Sequence, residues 1–329
     1  MTELIHEYRG SILENIHCGH ICIVDERGGV VHAVGNAEQM TYYRSASKPI
    51  QALPVLMNRL DEKFGLSGEE IAIMAGSHSG ESCHRDAILS MLKKAGYAEE
   101  DMIMNPVYPE AVYARDEMIR RGDPPRKALH NCSGKHVGLM LLAGMFGNHR
   151  DYWHPDSKAQ KEVKKCIANM AEWPEEKIDI GIDGCGVPVF AVPLRCIAFS
   201  FLKLLCPELI ADECLAGAAG KMSQAMQKYP LFVKGTDTLC TLLNSDSNVI
   251  AKGGAQGVYA FALKRERLGV VIKQADGTGD ERPNIVAEIL RQIHYSDKTL
   301  IEKLEHFHPS EIINDNGTVV GSRKAVFTL

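Results

Sequence analysis

The chain has 329 residues, 45% apolar and 24% charged, with a formal net charge of −5, enough for one large domain with a sizeable core. It has no basic block with interleaved aromatics to mark a nucleic-acid partner, and no apolar run of the roughly 18–20 residues that span a membrane. Met1 to Gly10 lacks the apolar stretch of a secretory signal, so a cytoplasmic protein is expected, with its ten scattered cysteines reduced and mostly in the core.

Residues from about Arg9 to Val34 read as a hairpin. The apolar run Ile21–Val24 and the return from Val30 flank the turn cluster Asp25-Glu26-Arg27-Gly28-Gly29. From Met40 to Leu60 the apolar spacing becomes helical. Ile71 to Ala75 then leads into Gly76-Ser77-His78-Ser79-Gly80, with Ser82 as the cap of a following helix. Helices are predicted over Ala111–Arg121, Gly134–Phe146, Ser157–Ala171, Ala191–Leu205 and Asp212–Gln227, with a loop or short strand from Trp173 to Pro188. Short strands follow at Val249–Lys252, Gly257–Leu263 and Gly269–Gln274. A helix over Pro283–Ile293 and a hairpin around Asn316-Gly317 close the chain.

Strands at both ends and helices between them give an α+β (α/β) reading: one antiparallel sheet built from the two chain termini, with a helical region inserted. The chain is expected to be a single catalytic unit over 1–329. Its sheet part spans about 1–60 and 231–329, and its helical part about 61–230.

Four stretches carry chemistry. In Arg44-Ser45-Ala46-Ser47-Lys48-Pro49, a serine and a lysine three apart share a helix face, so hydroxyl and amine can meet. A neutral lysine there would activate Ser45, and Ser47 would point elsewhere. Pro49 requires the helix to start close to Ala46, with Ser45 at its mouth. The Gly76–Gly80 loop offers Ser77 as a second hydroxyl, or simply turn and cap geometry. Cys132 and Cys185 are either buried thiols or a pair suited to zinc, with Lys135 and His136 one turn after Cys132. Lys252, before Gly253-Gly254, is either a solvated turn lysine or an amine aimed at a carboxylate or at Lys48.

In this order the motifs resemble the asparaginase II family of the rhizobial, thermolabile type, over nearly the whole chain. The match runs from Arg9-Gly10 through Ser45-Ala46-Ser47-Lys48-Pro49, Ser77-His78-Ser79-Gly80-Glu81, Asn131-Cys132-Ser133-Gly134-Lys135-His136, Asp183-Gly184-Cys185-Gly186 and Lys252-Gly253-Gly254-Ala255 to Val320-Gly321-Ser322-Arg323. The resemblance implies a serine β-lactamase or penicillin-binding-protein fold. It implies an L-asparagine amidohydrolase with Ser45, Lys48, Ser77 and Lys252 as catalytic groups, Ser45 being the nucleophile. It places Arg44, His136 and Asp183 at the substrate and one zinc on Cys132, Lys135 and Cys185, with no organic cofactor. A homodimer acting on a small-molecule substrate is expected, with neither nucleic-acid nor membrane partners. Two other readings stay open: a glutaminase or another hydrolase of that fold, and a non-catalytic zinc or thiol protein.

Overall fold

The computed structural model describes all 329 residues. Its strands are β1 (Thr2–Arg9), β2 (Ile12–Val24), β3 (Val30–Val34), β4 (Met40–Tyr42), β5 (Asp179–Ile182), β6 (Pro188–Pro193), β7 (Val249–Gly253), β8 (Val258–Leu263), β9 (Leu268–Gln274), β10 (Glu311–Ile313) and β11 (Val319–Ala325). Eight of them form one antiparallel sheet in the order β10-β11-β1-β2-β9-β8-β7, with β3 beside the second half of β2. The two ends of the chain therefore interleave: β1 pairs with β11 on one side and β2 on the other, and β2 pairs with β9. The expected sheet of both termini is present. No helix is long and apolar enough to cross a membrane.

β7 and β8 are buried along nearly their whole length, as the continuous apolar runs Val249–Ala251 and Val258–Leu263 require. The helix Leu194–Leu205, almost wholly buried, packs on β8 and β9. On the helical side, the helix Ser133–Met145 crosses the helix Gly68–Met74 at Gly134, where any Cβ would collide with the Ile73 carbonyl. Only glycine lets the two backbones approach this closely, and the crossing sets Cys132 and Lys135 beside the Gly76–Gly80 loop.

Several expectations are corrected. Thr2–Arg9 is a strand and Lys298–Phe307 a helix, neither of which was foreseen. Met40–Tyr42 is a strand, and Ala191–Pro193 ends β6 instead of opening a helix, because Pro193 pairs with Met40 across a second, three-stranded sheet. A proline inside that helix would have removed a hydrogen bond; here the helix begins one residue later. Glu81, not Ser82, caps the helix Ser82–Ala95, in a reciprocal pair with His84.

Candidate active site

Ser45 sits in a 3-10 turn, Arg44–Ser47, that runs directly into the helix Lys48–Gln51. Pro49 falls within the first two positions of that helix, where its missing N–H costs nothing. Arg44 has φ of +51°, an uncommon left-handed conformation for a residue with a side chain. The turn is held from the other side by Gly254, whose Cβ, were it present, would lie 2.7 Å from the Tyr43 carbonyl oxygen and 3.3 Å from the Ala46 nitrogen. The chain leaving β7 thus runs hard against the residues around Ser45. Ser47 is buried and its hydroxyl donates to the Arg44 carbonyl (2.9 Å), pointing away as expected.

The spacing of Ser45 and Lys48 allows hydroxyl and amine to meet, and in this structure no hydrogen bond joins them. The Lys48 amine donates to the Gly76 carbonyl (2.9 Å), the Asn131 carbonyl (3.1 Å) and Ser77 Oγ (2.9 Å), and none of its bonds goes to Ser45. Ser45 and Lys48 span one 3-10 turn, the Lys48 N–H donating to the Ser45 carbonyl, and the amine is drawn away by its three partners on the Gly76–Gly80 loop and Asn131. Lys252, at the end of β7, reaches the same Ser77 oxygen (2.9 Å) and its neighbour's carbonyl, Gly253 (2.7 Å). One serine hydroxyl therefore lies between two lysine amines drawn from opposite ends of the chain.

Both amines are fully enclosed, 1% exposed in each case. Burial pushes the Lys48 pKa below the usual lysine value, with Lys135 acting the same way and the Cys132 and Cys185 sulfurs opposing it. Burial brings Lys252 down to about 7, with help from Lys48 and Lys234. A neutral Lys252 amine that accepts protons is therefore accessible at this site near neutral pH.

His78 takes no part in proton transfer. Gly80 N–H donates to Nδ1 (3.2 Å), so Nε2 carries the proton and donates to Ser133 Oγ (2.7 Å). With both nitrogens used and the ring fully buried, its pKa falls well below the usual value. It ties the loop to the helix Ser133–Met145.

Ser45, Ser77 and Lys252 open together on a cavity of about 550 Å³, whose wall also includes Asn131, Gly253, Gly254, Cys240, Tyr259 and Arg282. That volume suits a small metabolite. Asn131, Cys240, Tyr259 and Arg282 had not been singled out as site residues. Arg282 carries one legible signal: it is a cation in the first turn of the helix Arg282–Gln292, where the helix dipole disfavours positive charge.

Behind Lys48, Cys132 and Cys185 come together with Lys135, the three residues that the family resemblance pointed to. Both cysteines are free thiols and buried. The Lys135 amine donates to Cys185 Sγ (3.1 Å). A hydrogen bond from the Cys185 thiol pulls the Cys132 pKa well below the usual thiol value against the effect of burial. Burial disfavours charge on Lys135, but Cys132 and Cys185 outweigh it and raise that pKa. Two buried sulfurs, one of them favoured as thiolate, make a donor set that suits zinc. His136 next door offers a buried Nε2 with no partner, while its Nδ1 bonds the Tyr152 hydroxyl (2.8 Å).

The three residues expected at the substrate are placed differently. Arg44 and Asp183 pair with each other, Nε at 3.0 Å and Nη2 at 2.8 Å from Oδ1, and His136 is fully buried. None of the three lines the cavity.

A search among curated proteins finds no match. Among solved structures the chain is similar to a variant of the last common ancestor of Gram-negative class A β-lactamases (12% identity, 85% of this chain and 93% of that one, TM-score 0.42). It is similar too to a β-lactamase of Mycobacterium bovis (13%, 83% and 94%, TM-score 0.37) and to a Bacillus glutaminase (13%, 85% and 92%, TM-score 0.38). These likenesses concern the chain path and say nothing about chemistry. The model of one family, L-asparaginase II, matches residues 5–325. The chain, with its two lysines closed on one serine and a pair of buried thiols behind them, belongs to the L-asparaginase II family.

Proposed function

We propose that the protein hydrolyses the side-chain amide of L-asparagine to L-aspartate and ammonia through an acyl-serine. The observation that carries this reading is the Ser77 oxygen, 2.9 Å from both the Lys48 and the Lys252 amines, on the wall of a cavity that also presents Ser45. Held between the two amines, the Ser77 hydroxyl exchanges protons with either of them, which suits a relay. Ser45 is half-buried, faces the cavity and receives no bond from either lysine. It is therefore assigned as the nucleophile and Ser77 as the relay.

Ser45 Oγ adds to the amide carbon. Its proton passes to Ser77 Oγ as Ser77 gives its own to a neutral lysine amine. The developing oxyanion is received by backbone N–H groups beside Ser45 other than that of Ala46, which already donates to the Tyr43 carbonyl (3.1 Å). The proton returns through Ser77 to the leaving nitrogen, and ammonia departs. Water then adds to the ester by the same route, giving aspartate and free Ser45. Cys132, Cys185 and Lys135 would hold zinc, the Lys135 amine and the thiols giving up their protons on binding, and the ion would supply fixed positive charge behind Lys48 that favours its neutral amine.

Ammonia release from asparagine, glutamine and nitrocefin turnover, measured side by side, tests the substrate. Asparagine is expected to be preferred, and activity confined to either of the others would remove the reading. The relay makes kcat/KM depend on neutral Lys252. Its pKa near 7 puts the protonated, inactive form below that value. The rate is thus expected to rise about tenfold per pH unit from about pH 5 and to level off above about 7; a flat profile over that span contradicts it. Metal analysis is expected to find zinc in the purified protein and to lose it in the Cys132→Ser, Cys185→Ser double variant. A protein purified from zinc-supplied cells without the metal would remove zinc from the account.

A further inference from the structure

Among the arginines and lysines near the two serines, only Arg282 has a buried nitrogen without a hydrogen-bond partner. Arg44 is taken by Asp183 and Lys234 by Glu110, while Lys48 and Lys252 close on Ser77. Arg282 lines the same cavity and forms no ion pair. One of its nitrogens, Nη2, donates to the Gly254 carbonyl (2.9 Å), and the guanidinium lies 5.7 Å from the centre of the Tyr259 ring. Its Nε is buried and has no hydrogen-bond partner. A buried, unpaired donor of a charged group is costly, and the residue stands at a helix N-terminus where a cation is out of place. Both costs vanish when an anion enters the cavity.

We infer that Arg282 anchors the α-carboxylate of the substrate. This assignment rests on the asparaginase reading and adds the selectivity determinant to it. Tyr259 below and the Gly254 carbonyl at one edge fix the plane of the guanidinium, which leaves its remaining N–H groups to meet a carboxylate side-on. Asp237 and Asp280 on the same wall supply negative charge for the α-ammonium. The pocket is thereby one for a free amino acid, and amides lacking the carboxylate leave Arg282 unpaired.

The test compares asparagine with 3-aminopropanamide, which is asparagine without its α-carboxylate, in wild type, Arg282→Gln and Arg282→Lys. Wild type is expected to favour asparagine by roughly 100-fold in kcat/KM, the scale of charge-assisted hydrogen bonds to one anion. Arg282→Gln is expected to lose about that factor on asparagine, mainly through KM, so that the ratio of the two substrates collapses. Arg282→Lys is expected to recover part of it. Calorimetric titration of L-aspartate reads the same contact without turnover: wild type binds and Arg282→Gln binds about 100-fold more weakly. Equal loss on both substrates, or equal aspartate binding, would overturn the inference while leaving an active asparaginase. A wild type that neither hydrolyses asparagine nor binds aspartate would overturn the functional reading and this one with it. Should Arg282→Gln fail to fold, the wild-type ratio decides: no preference for asparagine over 3-aminopropanamide sinks the proposal.

Discussion

Replacing Ser45 by alanine is expected to lower kcat on asparagine by at least about 10⁴-fold, the scale on which loss of a nucleophile acts. The fold should survive. Ser45 is half-buried in a turn held by Gly254 and by the Ser47–Arg44 hydrogen bond, and its own hydroxyl receives no bond from Lys48. Removing one oxygen from that position leaves no buried group unpaired, so the melting temperature should stay close to that of wild type. A variant that keeps a tenth or more of the wild-type rate would show that the reaction bypasses Ser45.

Ser77→Ala is expected to cost less, about 10²- to 10⁴-fold, the range for a positioned acid–base group. The loss arises differently. Without the Ser77 oxygen, the Lys48 and Lys252 amines lose the atom they share and both proton transfers slow, while Ser45 still faces the substrate. Acylation and deacylation should both be impaired, and the acid limb near pH 7 should weaken because Lys252 no longer communicates with the reacting oxygen. The structural cost is also larger than at Ser45, since two buried amines lose a bond each. A Ser77→Ala enzyme with an unaltered pH profile would deny the relay.

Much of this was legible in the residues, and the parts that were not share a cause. Local pattern marked the strands β7, β8 and β9 and the helices on either side of Cys132, because each has its own apolar period. It could not show that β1 would fill the place between β11 and β2, since Thr2–Arg9 mixes polar and apolar residues and pairs not only with neighbouring β2 but also with residues more than 300 positions away, such as Arg323 opposite Glu7. The site follows the same rule. Motif order brought Ser45, Lys48, Ser77, Lys252 and the two cysteines into one reading. The direction of the Lys48 amine depended on the Gly76 and Asn131 carbonyls and the Ser77 hydroxyl, which local spacing does not show. The cation at a helix start was the one local sign at Arg282, and by itself it names no ligand. Its meaning depends on Tyr259 and Gly254, far off in the chain.

The assignment of roles between the two serines is the claim on which the rest depends. Rapid quenching of wild-type enzyme with asparagine at low pH, followed by proteolysis and mass spectrometry of the peptides, reads it directly. The account predicts an aspartyl ester on the peptide carrying Ser45, and none on the peptide carrying Ser77. An ester on Ser77 would contradict it, making the doubly held hydroxyl the attacking group and Ser45 its accessory.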